Sequence, residues 1–247
     1  KKKNNNIDLI FARNVIPHVK NIHSVVKGIS NLASNKSIVA IEFHYAKDIL
    51  NELQYDSIYH EHLFYFTIKT ISSLFEKYNL YPFDVFKSPI SGGSLVLIFS
   101  KKKIKEKKLL IKLKKDEEKK KLNSLKKWKI FSKKSKMHAK KFKFDILKSF
   151  KNNGKLFGYG ASARSSTLLN YCKVSNKHID FIIDKNTLKH NLFTPGTNIK
   201  IKSINNSIKN IYKKDMVLLA WNFKKEILNI MKKYKFKNKI ILPINKK

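Results

Sequence analysis

The stretch Lys155-Leu156-Phe157-Gly158-Tyr159-Gly160-Ala161-Ser162-Ala163 decides the fold. It opens as a short apolar run suited to a buried strand. It then turns through glycines in the pattern G-x-G-x-x-A and enters a segment, Ala163 to Tyr171, that reads as a helix. A strand feeding a helix through such a turn is how a Rossmann-like unit begins. The glycines permit the tight turn and let a phosphate approach the helix N-terminus. Residues 178–183 predict a strand ending at Asp184, where a ribose-binding acid would sit. Residues 215–221 predict a strand, 223–234 a helix and 239–242 a last short strand. Taken alone, the glycine pattern is also what any tight strand-to-helix turn produces. Trp221-Asn222, just beyond a strand end, reads either as a ligand-binding edge or as a capped core aromatic.

The N-terminal part repeats the alternation. Residues 7–12 read as a buried strand, and Val19, Ile22, Val26, Ile29 and Leu32 recur at helical spacing. Residues 37–43 form a second buried run. Strand, helix, strand implies a parallel pair. Residues 82–86 and 94–100 predict two further strands joined by a turn at Ser91-Gly92-Gly93, an antiparallel hairpin. The expected fold class is thus α/β: a partial sheet ending in that hairpin over residues 1–100, a basic helical linker over 101–152, and a Rossmann-like unit over 153–247. Residues 101–143 of the linker hold 21 lysines with no glycine or proline. Its leucines and aromatics mark one or two solvated helices with a narrow buried stripe.

Composition bounds the function. A chain of 247 residues with 42% hydrophobic residues can build two cores. Its apolar runs are far short of the roughly 20 residues of a membrane helix. Lys1-Lys2-Lys3 leads into Asn4-Asn5-Asn6 and not into an apolar core, and Cys172 is the lone cysteine. These features fit a cytoplasmic protein that does not act at a membrane. The formal charge of +37 invites a nucleic-acid reading. Of 54 basic residues, however, only Arg13 and Arg164 are arginine, the residue best suited to base edges and bidentate phosphate contacts. Abundant Lys, Asn and Ile together fit an A+T-rich genome, so a nucleic-acid partner is disfavoured.

Between the second strand and the helix over 68–78 runs a long loop containing Tyr59-His60-Glu61-His62. A long loop at the C-terminal end of a parallel strand is where α/β proteins place ligand chemistry. Histidine is the usual general base near neutral pH, a carboxylate can fix its tautomer, and a phenol can donate to a developing oxyanion. Three readings stay open on these residues. The cluster could be catalytic. It could bind a metal through His60 and His62 with His18 or His44. Or it could be an aromatic loop packed on the sheet edge. If the loop were extended, His60 and His62 would point the same way.

Tyr55-Asp56-Ser57-Ile58-Tyr59-His60-Glu61-His62-Leu63-Phe64-Tyr65-Phe66 resembles the signature of the S-adenosylmethionine-dependent sugar C-methyltransferases, which act on nucleotide-linked keto-deoxysugars. Ser91-Gly92-Gly93-Ser94-Leu95, the glycine turn at 158–163, Thr167-Leu168-Leu169-Asn170-Tyr171, Asp184-Lys185-Asn186, Thr194-Pro195-Gly196-Thr197 and Ala220-Trp221-Asn222 are similar to the same family in the same order. The resemblance implies an N-terminal zinc-binding domain, a central methyltransferase domain and a C-terminal Rossmann-like domain. The zinc cysteines and the glycine-rich donor loop of the central domain have no counterpart in these 247 residues. The expectation is therefore a chain truncated at its N-terminus that binds the methyl donor poorly alone, with no metal of its own.

By resemblance, His62, Glu61, Tyr59 and His18 fall on active-site positions, with His62 as the general base. Tyr59 and Glu61 would position or stabilise. Asn14 falls on the donor side. His60, Gly158, Gly160, Ala161, Ser162 and Asn222 are the candidate contacts to the nucleotide sugar. The implied reaction removes a proton beside the sugar ketone, forms an enolate and methylates that carbon. The alternatives are a non-catalytic nucleotide-sugar-binding module and, behind it, a charge-driven nucleic-acid binder.

Overall fold

The computed structural model describes residues 7–89 and 92–243. Ser91, part of the expected hairpin turn, and the basic first residues lie outside them. Two compact units emerge. One comprises Lys1–Asn51 and His60–Ile130, the other Glu52–Tyr59 and Phe131–Lys247. The segment expected as a linker is thus shared between the units, and a piece of the long motif loop belongs to the second.

In the first unit, β1 (Leu9–Arg13) and β2 (Ile38–His44) are parallel. The sheet order is β1-β2-β4-β3, closed by the antiparallel hairpin β3 (Tyr81–Ser88) and β4 (Ser94–Ser100). β2 lies between neighbours, and all its residues after Ile38 are buried, as befits a central, mostly apolar strand. Helix α1 (Ile22–Leu32) buries Ile22, Val26 and Ile29 on one stripe. The side chain of Asn21 caps it by accepting from the Ser24 N–H. Within the long loop lies a short helix, α2 (Ala46–Asn51). Helix α3 (Ile68–Glu76) begins in a Thr67–Thr70 capping box.

β1 differs from the buried strand expected. Leu9 is 61% and Phe11 55% exposed. Among the described residues β1 pairs only with β2, and α1 covers one of its faces, so Ile10 and Ala12 pack inward while Leu9 and Phe11 do not.

Helix α4 (Lys108–Lys119) buries Leu110, Leu113 and Glu117. The Glu117 carboxylate accepts from the N–H groups of Ile68 and Lys69 and from the Tyr45 hydroxyl, capping α3 from a distance. Burial still raises its pKa above the ordinary carboxylate value.

Helix α5 (Leu125–Asn153) contains the division between the units. Its stripe of Phe131, Ser135, Ala139, Phe142, Ile146 and Ser149 is buried and the lysines between are solvated. The second unit's sheet is wholly parallel. Its order is β7-β6-β5-β8-β9, from β5 (Leu156–Tyr159), β6 (Ile179–Ile183), β7 (Lys200–Lys202), β8 (Met216–Leu218) and β9 (Ile240–Ile241). Helices α6 (Ala163–Tyr171), α7 (Ile208–Ile211) and α8 (Lys224–Lys233) connect them. The chain runs one way from β5 through β6 to β7 and the other way through β8 to β9. The β5–β8 gap is therefore the point where the winding reverses, the usual ligand crevice of such sheets.

Candidate functional site

In the first unit the chemistry gathers beyond the C-terminal end of β1. Asn14 turns the chain with φ 52°, a conformation Asn tolerates better than most residues. Its N–H donates to the Glu42 carbonyl at 3.1 Å. A single 3-10 turn, Ile16–His18, follows, started by Pro17. The Pro17 carbonyl accepts the N–H groups of Leu63 (2.9 Å) and Phe64 (3.3 Å), pinning the motif against the turn that carries His18. The rings of His18 and His62 consequently meet edge to face, 4.7 Å between centroids.

The Asn14 side-chain amide lies 3.2 Å from His18 Nε2. With the amide nitrogen as donor, Nε2 is the acceptor. His62 is buried and lies edge-on to Tyr65, 6.2 Å between centroids. His60 and Glu61 are exposed and approach one another only to 4.0 Å. The motif is a turn and not a strand, so His60 and His62 do not share a direction. Among the described residues no three His, Cys, Asp or Glu side chains gather as a metal site. Behind the histidines, buried Glu42 takes hydrogen bonds from Arg13 Nε and the Ser88 hydroxyl, each 2.9 Å.

Tyr59, half-buried, belongs to the second unit, as does the whole of Glu52–Tyr59. There Asp56 is clasped by Arg164 and Trp221, and the Tyr55 hydroxyl meets His138 Nδ1 at 2.9 Å and Cys172 Sγ at 3.5 Å. Burial pushes the Cys172 thiol up to about 11, so it is an inert packing group. Burial also lowers the His138 pKa, keeping that ring neutral.

The glycine turn follows β5. Gly160 has φ 96°, and a Cβ there would lie 2.3 Å from Ala220 Cβ, so only glycine fits. Gly158 is a packing glycine, because a Cβ there would strike the Ile182 and Leu219 side chains. The Ala161 N–H does not await an anion. It donates to Asp184 Oδ2 at 2.7 Å, while Asp184 Oδ1 accepts from the Asn186 N–H. Lys189 Nζ donates to the Ala161 carbonyl. Ser162 caps α6 in a box with Ser165. Asn222 is exposed in the turn after β8.

A cleft of about 360 Å³ opens at the β5–β8 reversal, lined by Tyr159, Gly160, Ser162, Asp184, Lys185, Ala220, Phe223, Glu226 and Ile227. Of the expected contacts, Gly160 and Ser162 line it. Gly158, Ala161 and Asn222 do not.

A family model described as the C-methyltransferase C-terminal domain matches residues 89–244, and one described as a methyltransferase domain matches residues 1–84. The chain belongs to the C-methyltransferase family. A curated relative, the C-methyltransferase NovU of Streptomyces niveus, is 27% identical over 230 residues, covering 92% of this chain and 54% of NovU. The chain therefore spans about half the length of that relative.

A methyltransferase domain implies S-adenosylmethionine in general terms. The first unit's glycines are Gly28, inside α1, and Gly92 and Gly93, which precede β4. Among the described residues none of these follows a strand end into a helix. Asn14 and His18 are the polar side chains that meet at the end of β1.

No described helix is long and apolar enough to cross a membrane. Sequence reasoning missed the clasp on Asp56 and the lining of the cleft by Phe223, Lys185 and Glu226. One signal was present for the clasp. In a chain that uses lysine almost everywhere, each of the two arginines pairs with a buried carboxylate.

Proposed function

We propose that this chain forms the acceptor-handling part of a C-methyltransferase whose substrate is a nucleotide-linked keto-sugar. The observation that carries the reading is the His18–His62 contact at the end of β1, with Asn14 holding His18. His62, sheltered from water, is the base that takes the proton from the carbon beside the ketone. Donors facing the developing enolate oxygen stabilise it. Tyr59 is the candidate there, with Glu61 positioning. S-adenosylmethionine, when bound, supplies an electrophilic methyl group. The cleft at the β5–β8 reversal suits the nucleotide, with Gly160 and Ser162 at its edge and the Phe223 ring as an apolar face.

Proton exchange separates the chemistry of these residues from methyl transfer. The complete enzyme, held in D2O with a nucleotide keto-sugar and no methyl donor, is expected to exchange the hydrogen beside the ketone. His62→Ala should slow this exchange by about a thousandfold, within the usual range for loss of a general base. An undiminished exchange rate in that variant removes His62 from the base role.

A further inference from the structure

The segment Glu52–Tyr59 contains no strand or α-helix, only the 3-10 turn Tyr55–Ser57, yet four of its residues in a row are buried. Gln54, Tyr55, Asp56 and Ser57 are 0–5% exposed. With no hydrogen-bonded ladder, side chains must set its conformation.

Asp56 is the centre of that anchoring. Its carboxylate accepts Arg164 Nη2 at 2.9 Å on Oδ1. On Oδ2 it accepts Arg164 Nε at 3.1 Å and the Trp221 indole N–H at 2.8 Å. The guanidinium carbon lies 4.6 Å from the centre of the Trp221 ring, and Nη2 also reaches the Gln54 side-chain carbonyl at 3.3 Å. A buried carboxylate with a two-pronged arginine and an indole donor is held in position and orientation together. Removing one partner of such a pair is costly because the other charge is left buried. Two residues on, the chain emerges: Ile58 is exposed and Tyr59, the next residue, half-buried.

We propose that Asp56, clasped by Arg164 and Trp221, is the positioning residue for Tyr59. The inference rests on the role given to Tyr59 above. Arg164 lies in the first turn of α6, just after the glycine turn, and Trp221 just after β8. The two loops that edge the nucleotide cleft therefore also hold the segment that ends at Tyr59. The clasp makes the placement of the phenol depend on the same loops that line that cleft.

A double-mutant cycle tests this in the complete enzyme. Asp56→Asn keeps the shape but loses the charge and turns an amide donor towards Arg164. It should lower kcat by about 100-fold, the scale of a misplaced group, with the KM for the methyl donor unchanged. In a Tyr59→Phe background the same change should lower kcat by less than about threefold, because the group it positions is already gone. Arg164→Lys, which keeps the charge but not the fork, is the second variant and should show the same dependence on Tyr59.

Trp221 emission, isolated by replacing Trp128 and any further indole of the complete enzyme with Phe, should change in both clasp variants and reports the clasp without activity. Equal losses of kcat with and without the Tyr59 hydroxyl, in an enzyme active as wild type, overturn the positioning role alone. A wild-type enzyme that transfers no methyl group overturns the reading of function and this inference with it, while the emission change still records the clasp.

Discussion

The turns after β5 and β1 both leave the C-terminal ends of parallel strands, and they solve the same backbone problem differently. After β5 the turn is made by Gly160, φ 96°, against Ala220, and the buried N–H of Ala161 is taken by Asp184. After β1 the turn is made by Asn14, φ 52°, whose side chain is not used to close the loop but reaches His18. The first turn is sterically closed and satisfied from within. The second places polar side chains beside a second histidine. A glycine fingerprint thus marks, in this molecule, how tightly two segments pack. The more chemically capable turn carries no glycine at all.

The largest expected effect breaks the first turn. Gly160→Ala puts a methyl group into Ala220 and a side chain at a φ that disfavours it. The second unit should lose about 2–5 kcal/mol, from overpacking plus left-handed strain. The denaturation midpoint of that unit measures the loss. An unchanged midpoint would mean that the close approach to Ala220 is easily relieved, and the contrast between the turns would fall.

That turn was legible in the sequence because its signal is local: an apolar run, two glycines two apart, then a helix. The same holds for β2, whose seven residues are apolar apart from Glu42 and His44, and for the hairpin. What was not legible depends on distant residues. Gln54, Tyr55, Asp56 and Ser57 are mostly polar and show no periodicity, so nothing nearby in sequence announces their burial. The groups that satisfy Asp56 lie 108 and 165 residues away. The exposure of Leu9 and Phe11 was hidden for the opposite reason. Their apolar run promised cover that the described residues do not supply. At the candidate site the residue types were readable, but the pairing of His18 with His62 was not, because it depends on the Pro17 carbonyl gripping Leu63 and Phe64.

A smaller effect sharpens the second turn. Asn14→Gly keeps a left-handed backbone without strain and removes only the side-chain amide. Stability of the first unit should change by less than about 1 kcal/mol. Loss of the donor to His18 Nε2 frees the ring to exchange tautomers. On the functional reading above, kcat should fall by about threefold to tenfold, the scale of one hydrogen bond. A variant with unaltered kcat would show that the Asn14–His18 contact does not tune the ring.

The smallest effect lies in the second unit and depends on pH. His138 accepts the Tyr55 hydroxyl on Nδ1, and burial is the main reason its pKa lies below the ordinary histidine value of 6.5, with the cation of Lys141 adding in the same direction. Its ring also donates to the Pro243 carbonyl, a bond that opposes the shift without cancelling it. A base whose folded pKa is depressed favours folding in its neutral form. Its contribution is complete above the unfolded value of 6.5 and fades as pH falls through the lower folded value. Protonation also removes the acceptor for Tyr55, the residue beside Asp56. The second unit should therefore lose stability on mild acidification, and backbone amides of Glu52–Tyr59 should exchange faster there than at neutral pH. His138→Gln keeps an acceptor for the phenol and cannot titrate, so it should flatten the slope. If the slope survives in that variant, another group of the second unit carries it, and His178, whose pKa burial also lowers, becomes the next to substitute.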